Sequence, residues 1–151
     1  MHPFLLPGEW LVSGRFLDPD GGETLTTGAA MVAATEQFPE VLQISVELRE
    51  VGSSSHSHQT QSTYYHLEIA GSSQVRFRMD SIALGTILTG GGSFTDRSLV
   101  LTYVSPDRRY TGFESFSVVR RGELLACGSF VADGVLVKTW EVKLERVPDR
   151  V

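Results

Sequence analysis

The sequence predicts an all-β protein, an antiparallel up-and-down β-barrel of about 8–10 strands. Three observations carry that prediction. Apolar and polar residues alternate with period two along most of the chain, the signature of half-buried strands. Turn chemistry interrupts the alternation at intervals of about eight to twelve residues. Helical periodicity is nearly absent: Ala29–Glu36, closed by Phe38-Pro39, is the one short helical alternative.

Glu9–Leu17 opens the series with Trp10, Val12 and Phe16 on one parity. Asp18-Pro19-Asp20-Gly21-Gly22 is a tight turn, because Pro presets φ and Gly tolerates positive φ. Leu25–Thr35 follows, a strand of small residues in which Gly28 is a candidate bulge. Val41–Val51 alternates most cleanly, Leu42, Ile44, Val46 and Leu48 against Gln43, Ser45, Glu47 and Arg49. Thr63–Ala70 sets Tyr65, Leu67 and Ile69 against Tyr64, His66 and Glu68. Gly71-Ser72-Ser73 turns the chain into Gln74–Asp80, where Val75, Phe77 and Met79 oppose Arg76, Arg78 and Asp80.

A glycine-rich strand, Gly85–Phe94, comes next, then Leu99–Val104, and Tyr110–Arg120 after the turn at Ser105-Pro106-Asp107. Leu124–Val131 and Val135–Val147 complete the set; in the last, Leu136, Trp140, Val142 and Leu144 share a parity. Short links between successive strands favour antiparallel neighbours. A meander of this length leaves two unpaired edges unless it closes, which favours the barrel over the alternative, a two-sheet β-sandwich. A sandwich calls for long crossing connections, and the chain has none. Residues 1–151 then form a single domain, with 1–7 and 148–151 as tails.

Composition narrows the function. The chain of 151 residues carries a net charge of −5, which disfavours nucleic acid, since phosphate binding needs a basic surface. Arg108-Arg109 and Arg120-Arg121 sit beside turns and read as solvated charge. No stretch reaches the ~20 apolar residues of a membrane helix. The opening MHPFLLPGEW lacks the basic and apolar regions of a secretory signal, and Cys127 is the lone cysteine. Together these predict a cytoplasmic protein. No pattern in the chain sets an oligomeric state.

The stretch GSSSHSHQTQSTYYHLE, residues 52–68, resembles chemistry more than any other. His56 and His58 at i and i+2 would share a strand face, and His66 or Glu68 could complete a metal site. Their neighbours are serine and glutamine, however, and the glutamate and downstream histidine of a cupin-like site are missing. The reading is therefore a hairpin loop at a barrel mouth, with no metal and no cofactor. Cys127 lies in an apolar strand without a neighbouring base and reads as a buried, inert thiol. Gly85 and Gly90-Gly91-Gly92 lack the Lys-Ser/Thr of a phosphate loop and read as bends or bulges of a closing sheet. Asp80, Asp96 and Asp107 read as turn residues.

Gly8-Glu9-Trp10 on the first strand, the ten alternating strands, and Trp140 with Arg146 on the last resemble the calycin superfamily, the lipocalin-like barrels. The resemblance spans Gly8 to Val147. In lipocalins a G-x-W closes the barrel base and a late arginine packs across its tryptophan, which implies structural roles for Gly8 and Trp10 with Arg146 or Arg120. The usual signal, disulfide and C-terminal helix of secreted lipocalins are missing, so a cytoplasmic, bacterial-type member is the closer comparison. The implied function is binding of a small apolar or amphipathic molecule. Phe16, Tyr65, Phe77, Met79, Tyr103, Phe116 and Trp140 would line the interior if their parity faces inward, which the sequence does not decide. The rival reading is a calycin-like enzyme, or a haem- or metal-binding barrel, using the Tyr64, His66 and Glu68 face. Binding is favoured over catalysis, and no catalytic residue is assigned.

Overall fold

The computed structural model describes residues 1–52 and 60–149. Ten strands follow one another: β1 (Gly8–Leu17), β2 (Glu23–Ala34), β3 (Val41–Glu50), β4 (Gln61–Ala70), β5 (Gln74–Ser81), β6 (Thr86–Phe94), β7 (Ser98–Val104), β8 (Tyr110–Arg120), β9 (Glu123–Ala132) and β10 (Val135–Arg146). Each pairs antiparallel with its sequence neighbours, and β1 pairs with β10 to close the barrel. Closure leaves no free edge and removes the sandwich alternative. The helical alternative fails too, because Ala29–Ala34 lies in β2 between β1 and β3. Its small side chains suit a strand flanked on both sides.

Alternation decides what faces inward. Leu42 and Ile44 of β3, Leu67 of β4, Leu88 of β6, Leu99 and Leu101 of β7 and Leu124 of β9 are all buried in one core cluster. The outward set on β4, Tyr64 and His66, is exposed. Gly28 is no bulge: β2 keeps an unbroken register with both neighbours there, and a Cβ would run into the Glu47 carbonyl. Gly90, Gly91 and Gly92 also sit in unbroken ladders. The register shifts that do occur lie between Val118 and Arg120 and between Leu136 and Lys138.

Residues 1–7 are a plug rather than a tail. Pro3–Leu5 form a single 3-10 turn whose Phe4 and Leu5 are buried. Phe4 stacks on Phe116 at 4.3 Å between ring centroids. His2 caps the turn, its Nδ1 accepting from the Phe4 backbone N–H at 3.3 Å. That contact puts the neutral-form proton on Nε2, and burial holds the imidazole pKa below its ordinary value. Beside the plug, Trp10 is 1% exposed and the Arg146 guanidinium carbon sits 5.4 Å above its ring centroid. Arg146 also donates to the Pro7 carbonyl and covers Gly8, where a Cβ would collide with the guanidinium. Arg146, not Arg120, is thus the tryptophan's partner; Arg120 is exposed and bonds Glu123 at 2.7 Å.

Candidate ligand-binding cavity

Because the plug seals one end, the interior opens toward the other. There the links after β1, β5, β7 and β9 gather, as up-and-down order requires. A cavity of about 370 Å³ runs from Phe4 and Phe116 at the plugged end to Phe16, Leu48, Gln61 and Lys138 at the mouth. That volume falls within the range of small-molecule sites, roughly 300–1,000 Å³.

Its walls contain all seven aromatic and methionine residues singled out from sequence: Phe16, Tyr65, Phe77, Met79, Tyr103, Phe116 and Trp140. Alternation put them on one face, and closure of the sheet brought that face to the inside. Tyr65 meets Phe77 at 5.4 Å and Phe77 stacks on Tyr103 at 4.9 Å, while Phe16 meets Trp140 at 5.9 Å. Phe77 on β5 and Tyr103 on β7 both pair with Gly90 of β6, so their rings touch across a strand without an intervening side chain.

The same device sets a polar centre in this apolar wall. Glu114 of β8 is in register with Gly128 of β9, and Gly128 with Trp140 of β10. The indole lies across Gly128, where a Cβ would overlap its ring. It thereby lies beside the Glu114 carboxylate. Glu114 is enclosed by the barrel, and the surface it retains opens into the cavity. Burial pushes its carboxyl up to about 7, against the opposing pull of the Trp140 N–H. Tyr65 and Tyr103 border the same carboxylate; burial first, then the nearby negative charge, raises both phenol pKa values, so both stay neutral at physiological pH.

Glu114 and Lys138 are the charged cavity residues that sequence reading missed. Glu114 shares the parity of Phe116, so alternation alone places it inside. Lys138 likewise shares the parity of Trp140 and Val142 and lines the mouth, whereas the shift between Leu136 and Lys138 leaves Leu136 exposed against its parity. Its ammonium sits 5.6 Å from the Phe16 ring centroid.

The other candidates fall outside this cavity. Tyr64 and His66 are exposed on the outer face, and Glu68, on the same face, pairs with Arg76 at 3.5 Å. The acid–base face envisaged for an enzyme therefore does not reach the interior. His56 and His58 lie outside the described residues. Among the described residues no group of three His, Cys, Asp or Glu side chains is placed to hold a metal. Cys127 lies on the outer parity of β9 and is half-buried rather than buried; partial burial and then Glu141 raise its thiol pKa. That disfavours the reactive thiolate.

The Gly128 contact makes one expectation direct. Gly128→Ala must displace the Trp140 ring or the backbone, since the Phe113 carbonyl also lies 2.7 Å from the added carbon. A loss of about 1–3 kcal/mol is expected, as for overpacked cores, together with a changed near-ultraviolet circular dichroism band. An unaltered band would show that the indole does not lie against Gly128.

Fold and cavity together define a closed, ten-stranded antiparallel β-barrel with an interior cavity. Solved structures share this fold. The S-type phycobiliprotein lyase CpeS from Guillardia theta matches with a TM-score of 0.68 at 14% identity, over 98% of this chain and 90% of that one. The protein Rv2717c from M. tuberculosis matches with a TM-score of 0.69 at 16% identity, over 95% and 94% of the two chains. At such identities the likeness is one of fold. No protein-family model and no curated protein matches the sequence.

Proposed function

We propose that this barrel binds one small, largely apolar molecule in its interior, as a carrier rather than a catalyst. The observation that carries the reading is the cavity itself, about 370 Å³, plugged at one end and walled by stacked aromatic side chains. A core meant only for stability would close such a space, because unfilled volume costs packing energy. Support comes from this cavity rather than from the names of the structural neighbours. The protein has no helix long and apolar enough to cross a membrane among its described residues.

Isothermal titration with 1-naphthalenemethanol, a neutral aromatic small enough for the space, should give one site with Kd on the order of 10–100 μM. Val46 lines the cavity, and Val46→Trp should fill it and abolish binding while the β spectrum persists. Undiminished binding to a folded Val46→Trp variant would place the probe elsewhere and defeat the proposal.

A further inference from the structure

Of the twenty-two residues that line the cavity, Glu114 alone is acidic and Lys138 alone is basic. The two belong to different surroundings. Lys138 stands at the mouth over Phe16, whereas Glu114 lies within the wall beside Tyr65, Tyr103 and Trp140. Among the described residues Glu114 forms no ion pair. The groups that act on its carboxylate are two phenols and an indole N–H, none of which carries positive charge.

A carboxylate held in an apolar enclosure without a cation is costly, and chains seldom keep one without use. Around it stand π-faces: Tyr65, Phe77 and Tyr103 in sequence, with Trp140 on the other flank. Aromatic faces grouped with a carboxylate attract an organic cation, the faces through their quadrupoles and the carboxylate through charge-assisted hydrogen bonds. Two glycines are needed to build the arrangement, Gly90 between Phe77 and Tyr103 and Gly128 between Glu114 and Trp140.

We infer that the ligand is an apolar amine, bound as its ammonium ion, with its charged nitrogen against Glu114 and its apolar body along the aromatic wall. This rests on the cavity-binding reading and deepens it. The groups facing Glu114 from the strands around it are Tyr65 of β4 and Tyr103 of β7, which stay neutral, and Trp140 of β10, which does not titrate. Binding should therefore strengthen as pH rises through about 7, where Glu114 ionises.

The test compares three probes of one shape by isothermal titration at pH 8: 1-naphthylmethylamine, 1-naphthalenemethanol and 1-naphthoate. The amine is expected to bind about tenfold or more tightly than the alcohol, the usual scale for a charge-assisted hydrogen bond, with the naphthoate weakest. In Glu114→Gln the ratio of amine to alcohol affinity should fall to near one. In wild type it should fall likewise at pH 5.5, a measurement that stands even if the variant fails to fold. Equal binding of amine and alcohol, a preference that survives both changes, or naphthoate as the tightest probe would overturn the inference and leave the carrier reading intact. Binding of none of the three would overturn the carrier reading itself.

Discussion

Trp10→Ala is expected to lower the folding free energy by about 3–5 kcal/mol, the range seen on emptying a buried aromatic site. Trp10 is 1% exposed, packs against Phe4 at 6.3 Å between centroids, and carries the Arg146 guanidinium on its other side. Truncation would thus empty the volume beneath the plug and remove the surface on which Arg146 rests. Its indole N–H is buried without a hydrogen-bond partner among the described residues, so the loss should come from packing and not from a broken hydrogen bond. Trp10→Phe tests that division. It keeps a ring under Arg146 and discards only the unpartnered N–H and some volume, and should restore roughly half of the loss or more. Urea unfolding of the three proteins measures both quantities; equal stability of wild type and Trp10→Ala would show that the plugged end adds nothing to the fold.

That end also shows what a sequence reveals and what it withholds. Strand existence and the split of each strand into two faces were legible because a period of two needs no knowledge of partners; that the face of Tyr65, Phe77 and Phe116 turns inward came only with closure of the sheet. Gly8-Glu9-Trp10 was legible through resemblance, and the choice of Arg146 over Arg120 came only with register, Trp10 opposite Arg146. The plug was missed because a three-residue 3-10 turn has no periodicity. Its one advance sign was the apolar run Phe4-Leu5-Leu6 after a proline suited to a first helical position. Leu136 was misassigned because of a register shift, since a single shift reverses every parity assigned beyond it.

The glycines were the harder case. Gly28, Gly85 and Gly90–Gly92 looked like bulges or bends, the ordinary meaning of glycine in a strand. Gly90 and Gly128 instead lie in regular ladders; a Cβ at Gly90 would run into the Thr102 carbonyl, and Gly128 gives up its side-chain space to the Trp140 ring. Such a role depends on which residues stand two strands apart, information that no local window holds. The contact between Glu114 and Trp140 belongs to this class.

Glu114 leads to the second large effect, a dependence of stability on pH that one substitution should remove. Its carboxyl has an ordinary value of 4.5 and is pushed up to about 7 in the folded protein. Below pH 4.5 both folded and unfolded forms are protonated, and burial of the neutral acid carries no charge penalty. Between 4.5 and 7 the unfolded chain gives up its proton while the folded one retains it, so unfolding gains with every step. Above 7 both are ionised and the penalty is complete. The stability that the protonated form provides is therefore present at low pH and lost as pH rises through about 7. At 1.36 kcal/mol per pH unit the gap amounts to about 3 kcal/mol, and water entering the cavity would reduce it by solvating the carboxylate. Glu114→Gln keeps the shape and cannot ionise. Wild type measured against Glu114→Gln by urea unfolding, with no amine present, should accordingly lose up to about 3 kcal/mol between pH 4 and pH 8. Other titrating groups largely cancel in that difference, since both proteins carry them. A difference that stays flat across the range would mean that Glu114 is as well solvated as a surface carboxylate, and the cavity would then lack the unpaired charge on which amine selectivity depends.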